Sequence, residues 1–513
     1  FSMDEAKIPI IVGCGQVTQK EEDPNIALSP IDITAKACFD AAKDSEIGNK
    51  ILNILDTILV IRSFSDTSWR FACPFGKNIN PPNSLANRIN ANNVKKNIYS
   101  HPGGNMPQWS VNRLFELITK GEVKTALIAG GESLFTQKRA QRLGIKLDWS
   151  EDSGGKFEEW GISKRGWSET EDLHGMKGAI YAYPLIENAI RGNEKRSILE
   201  HNKVMGHILT KFAKVAKKNP LADRQQGYSA EEISNVNSVN PYIGFPYTKL
   251  MNANAFVDQS SAIIMTSVKH AKELGIPKDK WVYLHGCADA YDHWYLSDRT
   301  NFYTSPAMNI TCKEALEMAE CSIEDISFFD IYSCFPSAIK IACDEMGIDI
   351  NSSKNLTVTG GLPYFGGPGN NYVTHSISEI VKRVRKFPGS RGLVTANGNY
   401  ITKQSIGIYS SEEPTKPFIP KDTNIYQKDI NKLIGPKFIN EANGKCTIET
   451  YTVINDRQGP AFSILYGRMK NGSRFIANTP KSEDLLLEMM SNDFLGIKGK
   501  VINKRGLNMF YPN

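Results

Sequence analysis

At 513 residues the chain is too long for one hydrophobic core, so two or three packed units are expected. Hydrophobic residues at 41% and charged residues at 23% exclude a disordered chain, and a net charge of +6 suits an anionic small ligand while excluding a nucleic-acid binder. Nine scattered cysteines without a CxxC pair, eight histidines without metal-ligand spacing and the lack of any apolar run near ~18 residues exclude a disulfide scaffold, a structural zinc site and a membrane span.

The first strand is expected over Ile8 to Val12, bounded by Gly13-Cys14-Gly15, and is followed by a helix from Ile31 to Ala42. Asp56 to Arg62 is a continuous apolar run of the buried parallel type. A helix over Gln108 to Thr119 and a strand over Thr125 to Ala129, ending in Gly130-Gly131-Glu132-Ser133, complete the first half. The succession then returns. Trp281 to His285 ends in Gly286-Cys287, Asp325 to Tyr332 runs into Ser333-Cys334-Phe335, and Gly392 to Ala396 precedes Asn397-Gly398. An offset of roughly 270 residues with slight drift between such segments predicts an internal duplication, with a parallel βαβ sheet in each half.

Between the halves lies a long insertion rich in Trp, Gly and charge, with a helical stretch from Leu185 to Lys218. Beyond Pro414 a Pro-broken linker leads to short strands at 446–453, 461–466 and 474–477, a helix at 482–490 and a final strand at 495–502, read as a small OB-like β-barrel. The expected domains are therefore 6–136 with 250–275, an insertion over 137–249, a second half over 276–412, and an additional β-domain over 415–513.

Several segments together resemble thiolases and their sterol-carrier-type relatives over almost all of residues 6–412. Asn252-Ala-Asn-Ala-Phe-Val-Asp-Gln-Ser-Ser-Ala262 is similar to the family's N-A-S-x-x-x-D-G-A-A-A segment. Gly360-Gly-Leu-Pro-Tyr-Phe-Gly-Gly-Pro368 is similar to its GGxxxxGHP loop, Tyr332 to Phe335 sit where HDCF or NEAF is found, and Gly392 to Asn399 match the strand before the CxG turn. Most similar is the thiolase-like acetyl-CoA acetyltransferase group with an extra C-terminal domain. The resemblance implies a layered α/β/α/β/α fold and acyl transfer between CoA and a carbon nucleophile through an acyl-cysteine.

This sequence departs from that pattern at each key position. The nucleophilic cysteine falls on Gly104, the GHP histidine on Gly367 and the CxG cysteine on or near Asn397, and no cysteine occurs between Cys73 and Cys287. Ordinary thiolysis is therefore not expected. Substitute chemistry would use Cys334, at a strand end, and His375, after the Gly-rich loop; the alternative is an inert thiol and a packing histidine. His101, Gly103 and Gly104 at a helix start offer backbone N–H groups to an oxyanion, or simply form a tight turn. Tyr332, Gly366, Gly367 and Asn370 are expected to line the crevice.

Arg139, Arg142, Lys164, Arg165 and Trp167 in the insertion are the expected contacts for coenzyme A, as substrate or ligand, through phosphate pairing and adenine stacking. A solvated charged face is the plainer reading. Three functions compete: an altered acyl-CoA acyltransferase, a non-catalytic acyl-CoA or lipid-thioester binding protein, and a partner subunit docking through the β-domain. A homodimer is the expectation, with a monomer if the added β-domain covers the sheet edge. The ends carry neither a signal-peptide pattern nor a peroxisomal tripeptide, which makes the cytoplasm the expected compartment.

Overall fold

A computed structural model describes residues 3–513. Ten strands form the central sheet: β1 (Pro9–Gln19), β2 (Thr57–Val60), β3 (Lys96–Ser100), β4 (Thr125–Ser133), β5 (Glu158–Trp160), β6 (Asp258–Ser267), β7 (Val282–Tyr291), β8 (Phe328–Asp330), β9 (Gly392–Gly398) and β10 (Lys403–Ser410). Their order is β5-β3-β2-β4-β6-β1-β7-β10-β9-β8. Two similar halves make up the sheet, and among the described residues their strands pair where Ile10 faces Tyr283 and Ile11 faces Val282.

On each side of that junction the same pattern recurs. The first strand of the half runs antiparallel to the last (β1 with β6, β7 with β10), the last antiparallel to its next neighbour (β4, β9), and that one parallel to the strand beyond (β2, β8). The duplicated segments thus occupy equivalent places. The sheets are mixed, however, and not parallel as the sequence suggested. A continuous apolar run reports burial on both faces, and helices cover both faces here whatever the direction of the strand.

The 30–44 helix packs on strands of the first half and the 306–318 helix on strands of the second, whereas the 106–119 and 372–386 helices touch strands of both. The result is an α/β/α/β/α sandwich whose central layer is those two helices. The glycines thought to end the first strands lie inside them instead. A Cβ on Gly13 or Gly15 would overlap the backbone of the 30–44 helix at Ala41 or Ala37, and one on Gly286 would overlap Ala315 of the 306–318 helix. Both halves therefore use a bare strand position to let a helix approach.

The insertion's long helical stretch is two helices, Ala179–Asn193 and Ile198–Lys218, broken at Lys195 (φ 55°) and restarted by a Ser197–Glu200 capping box. The insertion also adds β5 to the outer edge of β3. The C-terminal residues form a second sheet: β11 (Gly444–Asp456), β12 (Gly459–Met469), β13 (Arg474–Ala477), β14 (Lys498–Lys504) and β15 (Leu507–Pro512), in the order β13-β12-β11-β14-β15. A parallel bridge between Asn478 and Met509 closes it, and the 483–491 helix lies between β13 and β14, which is the OB arrangement. The last strand, β15, lies beyond the final strand expected at 495–502; its short hairpin with β14 carries a weak apolar alternation.

This domain docks on the insertion and not on the edge of the main sheet. Phe245 of the insertion is fully buried inside its core and stacks on Tyr451, its N–H donating to the Val453 carbonyl at 2.9 Å. Asn188 donates to the Tyr451 carbonyl at 2.7 Å. The face available for docking a separate protein is reduced accordingly. Replacing Gly286 by Val should destabilise the fold by about 3 kcal/mol, because the 306–318 helix must retreat; chemical denaturation monitored by circular dichroism measures the loss.

Candidate functional site

The segments that carried the resemblance converge between the two halves. The Ala253 N–H donates to the Cys334 carbonyl at 3.1 Å, the Asn254 N–H to the Leu362 carbonyl at 3.0 Å, and the Gly367 N–H to the Asn254 carbonyl at 2.8 Å. Gln259, fully buried, donates to the Phe365 carbonyl at 2.8 Å and fills the space in front of Gly366, whose φ of 131° favours glycine. Gly366 and Gly367 are thus packed into the 252–259 segment and do not face open space.

The organiser of this region is a residue the sequence did not mark. Asp330, at the end of β8 and fully buried, accepts hydrogen bonds from Ser376 Oγ (2.6 Å), the Tyr372 hydroxyl (2.8 Å), Thr357 Oγ1 (2.9 Å) and the Val358 N–H (3.0 Å). It ties the Gly-rich loop and the 372–386 helix to the sheet. Burial pushes its carboxyl up from the ordinary range, and these donors oppose the shift.

At the start of the 106–119 helix, where an acyl-accepting thiol would stand, a Cβ on Gly104 would overlap the Tyr332 hydroxyl and the Asn397 carbonyl. The position is therefore filled by the opposite half. Tyr332 is buried, with its N–H on Thr395 Oγ1 at 2.9 Å, and the cavity beside it and Asn397 measures about 10 Å³, room for one water. Gly103 donates its N–H to Asn370 Oδ1 at 3.1 Å, so that donor is already engaged. Asn370 in turn donates to the Arg62 carbonyl (2.9 Å) and Thr67 Oγ1 (3.2 Å): it pins three segments and is not a free ligand group. His101 points outward to Glu159, Nδ1 to Oε2 3.4 Å, and partial burial lowers its pKa.

Cys334 and His375 do not form a pair. The Cys334 thiol faces the Tyr183 hydroxyl, and burial raises it to about 12, so it carries no thiolate at neutral pH. His375 is fully buried one turn into the 372–386 helix, its Nδ1 2.9 Å from Gln16 Oε1 and its ring edge-on to Phe365; burial lowers its pKa to about 3. Helical geometry turns position 375 toward β1, away from the end of β8. Asn397 lies on β9 and accepts from the Tyr183 hydroxyl at 3.2 Å. A chain of rings, Trp167–Tyr400–Tyr183–Phe335–Tyr247, occupies the rest of the space.

Lys403 also escaped the sequence reading. It is buried on β10, donates to the Pro102 carbonyl at 2.7 Å behind Gly103, and burial lowers it to about 8. It opens its strand beside Gln404 and Ser405, and that polar start gives no sign of burial. The insertion residues expected to bind CoA split into two places. Arg139 donates to the Glu22 carbonyl from the 134–143 helix, and Arg142 is exposed on the same helix. Elsewhere, Lys164 sits over the Trp294 and Tyr295 rings, Arg165 donates to the Trp167 carbonyl at 3.1 Å, and Trp167 donates to Asp172 at 2.8 Å while stacking on Tyr400. No single adenine-and-phosphate subsite results.

On the other side of Asn370 a cavity of about 630 Å³ opens at the carboxyl ends of β2 and β4, where ligands settle in α/β sheets. Glu132 reaches it from β4; its carboxyl accepts the Phe64 N–H at 2.7 Å, and burial raises it to about 8. The folded state therefore holds a proton that the unfolded chain loses near pH 4.5, and stability falls as pH rises from there toward 8. Thermal unfolding should show the melting temperature of Glu132→Gln gaining on that of the native protein across this window.

A profile of the thiolase-like protein type 1 additional C-terminal domain matches residues 426–505. No curated protein sequence matches the chain. Among solved structures, a monomeric SCP2-thiolase-like protein type 1 from Mycobacterium smegmatis is 32% identical over 100% of both chains, with a TM-score of 0.85. The dimeric peroxisomal thiolase of Saccharomyces cerevisiae (13% identity, 80% of this chain, 99% of that one, TM-score 0.56) and human mitochondrial 3-ketoacyl-CoA thiolase (14%, 80% and 100%, 0.56) share the fold of the two halves. With full-length identity to the mycobacterial protein, a thiolase sandwich and the additional barrel all in one chain, this protein belongs to the SCP2-thiolase-like protein type 1 family.

Proposed function

We propose that this chain is a non-catalytic thiolase-like protein that binds an acyl-thioester-type anionic ligand, with coenzyme A derivatives as the first candidates, and does not transfer the acyl group. The observation that carries the non-catalytic part of this reading is at Gly104: the Tyr332 hydroxyl and the Asn397 carbonyl stand where any side chain there would have to be, while ligand binding is what the family resemblance suggests. Covalent acyl transfer needs a reactive thiolate with a base beside it and donors free to meet an oxyanion. Here the Cys334 thiol is raised to about 12, the His375 ring faces Gln16, and the Gly103 N–H is spent on Asn370. An acyltransferase with substitute residues, the other reading of the sequence, has no such constellation to draw on.

A monomer fits this reading. β5 pairs with the outer edge of β3 and so removes a surface for edge-to-edge association, and the 32% identical mycobacterial protein is described as monomeric. The edge is covered by the insertion, not by the C-terminal domain as the sequence suggested. No helix among the described residues is long and apolar enough to cross a membrane, and a cytoplasmic location is part of the proposal.

The test is a calorimetric titration with acetyl-CoA and acetoacetyl-CoA, followed on the same sample by a thiolysis and condensation assay and by intact mass. Heat of binding with no turnover and no acyl adduct is expected, and Cys334→Ala should leave all three readouts unchanged. Turnover that disappears in Cys334→Ala would overturn the proposal. Light scattering should give the mass of one 57.1 kDa chain.

A further inference from the structure

The cavity at the ends of β2 and β4 lies outside the family's crevice, from which Gly369 and Asn370 divide it. Its apolar walls come from Ile31, Val60, Ile61, Leu134, Trp69 and Trp149, and Trp69 is 78% exposed at the edge. Glu132, 3% exposed, also lines it, and the Phe64 N–H is the single donor recorded on its carboxyl among the described residues. Cys73, half-buried, lines it as well. A space of this size takes a chain of roughly drug-like dimensions.

Beside this cavity stands an arc of cations drawn from four separate segments. Arg70 follows directly on the lining residue Trp69, and Lys138 directly on the lining residue Gln137. Arg70 lies over the Phe71 ring (5.6 Å), Phe71 packs on Phe256 (5.9 Å), and the Lys138 ammonium sits 3.9 Å from the centre of Phe256. Arg142 is one turn further along the Lys138 helix. Arg457 sits in the β11–β12 turn, which the Asn455 N–H holds to the Ile243 carbonyl at 2.8 Å, and Lys249 follows that strip of the insertion. All five are exposed, and none has a carboxylate within ion-pair distance or a side-chain hydrogen bond among the described residues. Partial burial, then Lys249, Arg142, Arg457 and Arg70 in that order, depress the Lys138 pKa. Like charges gathered without a counter-ion disfavour the empty state and favour an anion.

We propose that the cavity and the cation arc form one site for a phosphate-headed amphiphile, its alkyl or acyl chain lodged between Trp69, Trp149 and Leu134 and its phosphate among Arg70, Lys138, Arg142, Lys249 and Arg457. Five cations exceed what a single carboxylate needs, which is why the head is assigned as a phosphate. The proposal rests on the reading of the chain as a binding protein but fails separately from it, since site occupancy is read whether or not thioesters are turned over.

The experiment alkylates the full-length protein with N-ethylmaleimide at alkaline pH, with and without decyl phosphate below its micelle concentration, and follows Cys73 by peptide mass spectrometry. Cys321, the other half-buried thiol, is the internal reference. Decyl phosphate is expected to slow labelling of Cys73 and leave Cys321 unchanged. Its affinity, measured by calorimetry, should fall roughly tenfold in K138E/R142E, with added salt acting in the same direction. Unprotected Cys73 would overturn the site, equal affinity for decanol would overturn the role of the cations, and equal affinity for decanoate would overturn the phosphate head.

Discussion

Asp330 takes its whole support from uncharged donors, and the arrangement of the second half follows from satisfying it. A carboxyl that deep in the protein is tolerated only where each lone pair finds a partner. The partners come from three places: the 357–359 segment, Tyr372 at the start of a helix, and Ser376 one turn later. Once these are drawn together, the Gly-rich loop between them has a single path, and Gly366 to Asn371 are laid against Gln259, Glu132 and Gly130 of the first half. The docking of the halves is a consequence of that one polar knot. The loop that the sequence suggested would line a reaction crevice serves here as a clamp.

Closure of the crevice is likewise a matter of volume. Removing a side chain at 104 leaves space, and the protein fills it with Tyr332 from across the junction and a run of stacked rings behind it. Buried aromatic surface of this kind stabilises a fold in a way a ligand crevice cannot. Residues that looked like site residues in one dimension have become packing and linking residues in three: Asn370 as a pin, His375 as a neutral core histidine, and Trp167 as a ring on Tyr400.

What could be read from the sequence was what repeats or alternates. The three duplicated segments fell on β1 and β7, β2 and β8, and β4 and β9, because buried strands need apolar runs at fixed places in each half. The motif segments 252–262, 332–335 and 360–368, recognisable one by one in the sequence, meet between the halves. Strand direction was not legible, since burial on two faces looks the same either way. Nor was the meaning of Gly13, Gly15 and Gly286, which a turn and a close helix approach require alike. Partnership at long range was least legible: nothing near position 334 tells that it faces Tyr183, and nothing near 138 tells that Lys249 and Arg457 arrive beside it.

Phe245 has a further consequence, for the order in which the molecule is made. Its ring completes the core of a barrel whose first strand leaves the ribosome roughly 200 residues later, a delay on the order of 10 to 40 seconds at ordinary rates of synthesis. The second half is made within that interval, and once β10 has followed the two halves can assemble around Asp330 while the Phe245 side chain stays bare on the insertion. The nascent chain thus exposes one defined apolar place until the barrel is made, and truncation within the barrel would leave that place open.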